Sequence, residues 1–193
     1  VIFFCTVISS FAVAETKNWT KFGSSWEVNG STASTITGYC SPWNYYELTN
    51  YNSLISINPI KNYSDIEVIA EIKERVETPS EFLISFNVTS ESKNWFYHMY
   101  AFKITGGYWG MDKASLIFSD RADKSKSFET KNNTFVKELA TADCSIKYEK
   151  NYTYHIAFKN GNVILFINDE KILSAPFPEK NYDGVMAISS RNA

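Results

Sequence analysis

The sequence predicts an all-β chain folded as a two-sheet antiparallel sandwich. Three observations carry this: apolar residues recur with period two along many short segments, no segment holds a helical period, and Gly, Pro, Asn and Asp punctuate the runs. Aromatic residues, 14 Phe, 12 Tyr and 5 Trp in 193 residues, supply the bulk for packed layers. With 19 basic against 21 acidic residues there is no excess positive charge to neutralise phosphates, so nucleic acid is not an expected partner.

The chain opens on an apolar run, Val1 to Ala14, closing on Ala12-Val13-Ala14 before Glu15. That is the small-x-small pattern of a signal peptide, and 14 residues fall short of the about 20 needed to span a bilayer. There is no initiator Met and no basic residue before Lys17, so the start is expected to be truncated. Residues 1–14 are read as a leader and 15–193 as one sandwich domain, secreted, periplasmic or at the cell surface, with no membrane span after cleavage. Cleavage discards Cys5 and leaves Cys40 and Cys144, an even pair that a disulfide can join in an oxidising compartment. Closing about 100 residues, it would contribute roughly 4 to 5 kcal/mol in the chain-entropy account; two free thiols are the alternative. Asn18, Asn29, Asn62, Asn87, Asn132 and Asn151 begin N-x-S/T triplets, surface glycan acceptors in a eukaryotic secretory host.

Among the strands, Ile66, Val68, Ala70 and Ile72 alternate with Glu67, Ile69 and Glu71, giving one buried face. Phe82, Ile84, Phe86 and Val88 form a second such row. Trp95 to Ile104 is apolar on both faces, as a central strand covered on each side requires. Tyr154 to Phe158 and Val163 to Ile167 flank Asn160-Gly161, the strongest short hairpin signal, because a type I′ turn needs positive φ at both central residues. Asn168-Asp169 then turns the chain into Lys171 to Ser174 for a three-strand meander, and Val185 to Ser189 follows a loop. Weaker runs are Ser25 to Val28, Tyr45 to Leu48, Ser53 to Ile57, Ala114 to Ser119 and Thr134 to Leu139, about eleven or twelve strands in all. Asp120 to Asn133 is the most polar stretch and reads as a mobile loop.

Trp19, Gly23, Trp26-Glu27-Val28, Asn29-Gly30, then Tyr63-Ser64-Asp65-Ile66-Glu67-Val68, then Tyr154 to Phe158 with Asn160-Gly161 and Asn168-Asp169, then Gly184 to Ile188 form an ordered set of motifs. Together they resemble the concanavalin A-like lectin/glucanase superfamily, in particular its laminin-G-like and 3-keto-disaccharide hydrolase members. The resemblance implies a jelly-roll sandwich and carbohydrate binding. It also implies a further strand after Gly184 to Ile188, expected beyond Ala193. Glycosidases of this superfamily carry an E-x-D-x-E cluster; the nearest match is Glu67 to Glu71 with Ile69 at the centre, which departs from the pattern. Glu67 and Glu71 are the catalytic candidates of a glycoside-hydrolase alternative, and a solvated strand face explains them better. Laminin-G-like domains often hold Ca2+ on loop acids, for which Asp112, Asp120 and Asp123 are available without an EF-hand spacing; no cofactor is expected. His98 and His155 have no metal-ligand spacing.

Sugar binding asks for flat aromatic faces against C–H groups with polar partners beside them. Trp43, Asn44 and Tyr45 form one candidate group, and Trp95 and Tyr97 with Tyr108 and Trp109 the other; Trp43, Tyr108 and Trp109 follow Pro or Gly and are placed in loops. In the strand, Trp95, Tyr97 and Met99 share one face and His98, Tyr100 and Phe102 the other, and the alternation does not say which is core. Glycan recognition through these residues is the leading expectation. A cell-surface protein partner meeting the same aromatic rim is the remaining alternative.

Overall fold

The computed structural model describes residues 2–6, 19–22, 26–29, 32–35, 52–56, 63–72, 80–89, 98–107, 109–120, 136–177 and 184–191. These hold fourteen strands: β1 (Ile2–Thr6), β2 (Trp19–Phe22), β3 (Trp26–Asn29), β4 (Thr32–Thr35), β5 (Asn52–Ser56), β6 (Asp65–Glu71), β7 (Ser80–Thr89), β8 (His98–Gly107), β9 (Gly110–Asp120), β10 (Val136–Ile146), β11 (Asn151–Lys159), β12 (Asn162–Ile167), β13 (Glu170–Pro176) and β14 (Val185–Arg191). One sheet runs β13-β12-β11-β6-β1-β4-β3 and the other β10-β9-β8-β7-β14-β5-β2. Every pairing is antiparallel, as the alternating runs require.

The two rows found first in the sequence face each other across the layers. Ile66, Val68 and Ala70 of β6 and Tyr154, Ile156 and Phe158 of β11 pack against Phe82, Ile84 and Phe86 of β7 and Tyr100, Phe102 and Ile104 of β8. The face of β8 left open by the alternation is thereby settled: Tyr100 and Phe102 are core, while Met99 and Ala101 join Leu83, Ile117 and Ala187 in a smaller cluster on the opposite face of the second sheet. Phe86 sits at the centre of an aromatic nest, with Phe158 and Phe177 edge-on at 5.2 and 5.7 Å and Tyr100 stacked at 6.0 Å. Edge-on and offset contacts of this kind add to the area term.

Val88 does not continue the row of Phe82, Ile84 and Phe86. The β7–β8 register shifts between Phe86 and Thr89, Asn87 takes φ 49°, and Val88 moves to the smaller cluster. A bulge inserts one residue and so reverses the faces that follow it. The same bulge corrects one surface expectation. Asn87 is only 4% exposed and its amide oxygen accepts a 2.6 Å bond from the Tyr63 hydroxyl, so this N-x-T site is a core contact rather than a surface acceptor.

The Asn-Gly hairpin forms as expected, with Lys159 opposite Asn162 and φ of 53° and 72° at Asn160 and Gly161. The strand expected at Tyr45 to Leu48 lies outside the described residues. β1 falls within the stretch read as a leader; it pairs with β4 and β6, Phe3 standing opposite Ala33 and Ala70. Removing residues 1–14 would take from β4 and β6 the strand they share.

Candidate functional site

The turn between β8 and β9 is built from glycine for steric reasons. A Cβ on Gly106 would lie 2.1 Å from the Gly110 carbonyl oxygen, and one on Gly110 would lie 2.4 Å from the carbonyl oxygen of Ile146. Gly110 also holds φ +145°, a conformation side-chain-bearing residues rarely adopt. The Tyr148 hydroxyl donates to the Gly107 carbonyl at 2.5 Å and ties this turn to the chain leaving β10. Next to Gly110, Trp109 stands 95% exposed. An indole standing in water is a flat apolar surface that can stack on an apolar face.

Beside the turn, at the same end of the sandwich, the two layers do not close. Ile146, which Gly110 abuts, also lines a crevice of about 420 Å³ between β10 on one side and β11, β12 and β13 on the other. Its apolar wall includes Ile167 and Ile172, and Asp143, Ser145, Asn168 and Glu170 lie toward solvent. The Asn168-Asp169 turn is locked: both residues take positive φ, the Asn168 N–H bonds the Thr153 carbonyl, and the Thr153 N–H bonds the Asn168 side chain, each at 2.9 Å. Cys144 is a free thiol in this crevice, its Sγ 3.8 Å from the Met111 carbonyl oxygen. Burial, with the nearby negative charges of Asp112 and Asp143, pushes the thiol up to about 11, so it stays protonated and poorly nucleophilic. Its expected partner Cys40 lies outside the described residues.

The second sheet's face opposite the core carries a polar group beside the smaller apolar cluster. Glu138 of β10 accepts a 2.8 Å bond from Ser115 Oγ and lies 3.3 Å from Lys113 Nζ. The Ser115 bond foremost, with Lys113 and Lys103 assisting against desolvation, holds the Glu138 carboxyl below its ordinary range. Lys113 and Ser115 share a face by period-two spacing, but only the pairing of β9 with β10 brings Glu138 to them. Glu138 and Asp143 on this face stand opposite Ile117 and Lys113, four residues and about 13 Å apart, beyond the about 5 to 9.5 Å that paired glycosidase carboxyls require.

Glu67 and Glu71 lie on the outward face of β6, half-buried, opposite His155 and Asn151 of β11 and about 13 Å apart along the strand. His155 Nε2 lies 2.8 Å from Asp65 Oδ1 and its ring stacks on Phe166. Ser64 Oγ donates to the other Asp65 oxygen at 2.6 Å. The hydroxyl thus meets the carboxylate and not the imidazole, which leaves it without the base a serine nucleophile needs. Among the described residues no three His, Cys, Asp or Glu side chains are placed to hold a metal ion. Asp112 is exposed on β9, Asp120 ends that strand, and Asp123 lies outside the described residues.

Of the stacking residues expected from the sequence, the structure describes Trp109; Trp43, Asn44, Tyr45, Trp95, Tyr97 and Tyr108 lie outside the described residues. Tyr148, Tyr152 and the crevice were not legible, because tyrosines in a strand-rich chain default to core and the crevice gathers its lining from four strands.

No protein-family model matches the chain, and no curated protein sequence matches it. Solved structures do match. The carbohydrate-binding module CBM66 from Bacillus subtilis is 12% identical with a TM-score of 0.60, over 91% of this chain and 89% of that one. The Emp47p carbohydrate recognition domain is 11% identical with a TM-score of 0.57, over 97% and 86%. The Crh5 transglycosylase in complex with NAG is 10% identical with a TM-score of 0.57, over 98% and 68%. Likeness at this identity is one of fold: this chain is a two-sheet antiparallel jelly-roll sandwich of the concanavalin A-like type.

Proposed function

We propose that this is an exported carbohydrate-binding domain that takes a glycan at the end of the sandwich carrying Trp109. The observation that carries the reading is the 95% exposed indole on a glycine turn clamped by Tyr148. A pyranose presents an apolar C–H face to such a ring while its hydroxyls find polar partners nearby. The fold shared with CBM66 and the Emp47p carbohydrate recognition domain supports the same reading. Trp43, Asn44, Tyr45, Trp95, Tyr97 and Tyr108 are proposed to extend the surface, and the apolar run before Glu15 supports export, with cleavage leaving β4 and β6 without the strand between them.

No comparable observation favours the hydrolase reading, since Glu67 and Glu71 share a flat outward face. A glycan array probed with the exported chain and its Trp109→Ala variant tests the proposal. Selective binding that the substitution abolishes is the expected result. Binding that survives it would remove Trp109 from the site, and reducing sugar released by wild type but not by Glu71→Gln would move the function to catalysis.

A further inference from the structure

We propose that the crevice between β10 and β13 is a second subsite, which receives the terminal residue of the bound glycan and selects uncharged sugars over acidic ones. This rests on the glycan-binding reading and adds to it where the chain ends and what charge it carries. The crevice lies next to the stacking platform, because Trp109 adjoins Gly110 and Gly110 abuts Ile146 of the lining. Its volume of about 420 Å³ falls toward the small end of ligand pockets, which run from about 300 to 1,000 Å³.

The chemistry of its walls suits one sugar ring. Ile167 and Ile172 offer apolar surface, and the carboxylate of Glu170 offers acceptors for vicinal hydroxyls. Tyr152 accepts the Lys147 N–H at 3.0 Å, which leaves its own O–H available as a donor. The Glu170 carboxylate at the mouth repels a uronate or any other acidic terminus.

The test uses the full chain and three oligosaccharide probes taken from a glycan that it binds: the neutral glycan, the same glycan oxidised to a uronate at its terminal residue, and the glycan shortened by that residue. Cys144 modification by N-ethylmaleimide, followed over hours because the thiol stays protonated and read by peptide mass mapping, reports occupancy of the crevice. The neutral glycan is expected to slow Cys144 labelling at least fivefold, the other two to leave it unchanged and to bind at least tenfold more weakly. Glu170→Ala, at an exposed position, is expected to lower affinity about tenfold with an unchanged melting temperature, and Cys144→Met to do so by filling the space. Binding that depends on Trp109 but is indifferent to Glu170→Ala, to the terminal uronate and to the shortening would overturn the subsite and leave the platform standing. Absence of glycan binding by wild type would overturn both.

Discussion

The Tyr148 hydroxyl donates to the Gly107 carbonyl at 2.5 Å, joining two turns that lie forty-one residues apart in the chain. That bond holds the turn bearing Trp109 against the sandwich. Tyr148→Phe should therefore cost about 0.5 to 1.5 kcal/mol of stability and weaken glycan binding several-fold, read by thermal denaturation and titration of the same protein. A variant that binds as wild type would show that the platform needs no clamp.

Gly110→Ala should be more severe. Its new Cβ would meet the Ile146 carbonyl at 2.4 Å from a backbone at φ +145°, so a loss of about 1 to 3 kcal/mol is expected. Gly107→Ala, with nothing within 4 Å of its Cβ, is the matched control and should be mild. Equal melting temperatures for the two variants would contradict the steric account of this turn.

Glycosylation distinguishes two of the N-x-S/T sites. In a eukaryotic secretory host, peptide mapping of the folded product should find glycan at the exposed Asn151 and none at Asn87, whose side chain is bonded to Tyr63 in the core. An occupied Asn87 in soluble, folded protein would refute that packing.

The Glu138 carboxyl should titrate below its unfolded value, chiefly because Ser115 donates to it. The sign follows from linkage. A carboxyl lowered on folding adds stability that is present above its unfolded pKa and is lost as pH falls through the folded one. Because Glu138 and Lys113 are nearly half exposed, the contribution is under about 1 kcal/mol. NMR titration of the Glu138 carboxyl should show its pKa rising in Ser115→Ala; no movement would mean that the hydrogen bond is not formed in solution.

The sheets were legible where alternation is carried by large residues. β6, β7, β8 and the meander of β11 to β13 announce themselves through Ile, Phe, Tyr and Val. β10 was seen only in part, as Thr134 to Leu139, since the core-side residues of its second half are Ala140, Ala142 and Cys144, too small to mark a face. β2 and β4, four residues each, offer too little length for a period to show. The bulge at Asn87 has no signature in a row that reads as continuous alternation. At the candidate site, Trp109 between glycines was visible as a turn aromatic. The Glu138 group and the crevice were hidden because register, which composition does not encode, brings their members together.

The most direct measurement is calorimetric titration of the tightest array glycan into the full chain and into Trp109→Ala, with matched melting temperatures establishing that both are folded. If the indole is the central anchor, its removal costs at least about 2 kcal/mol, roughly a thirtyfold loss of affinity. Affinity within twofold of wild type would contradict the account.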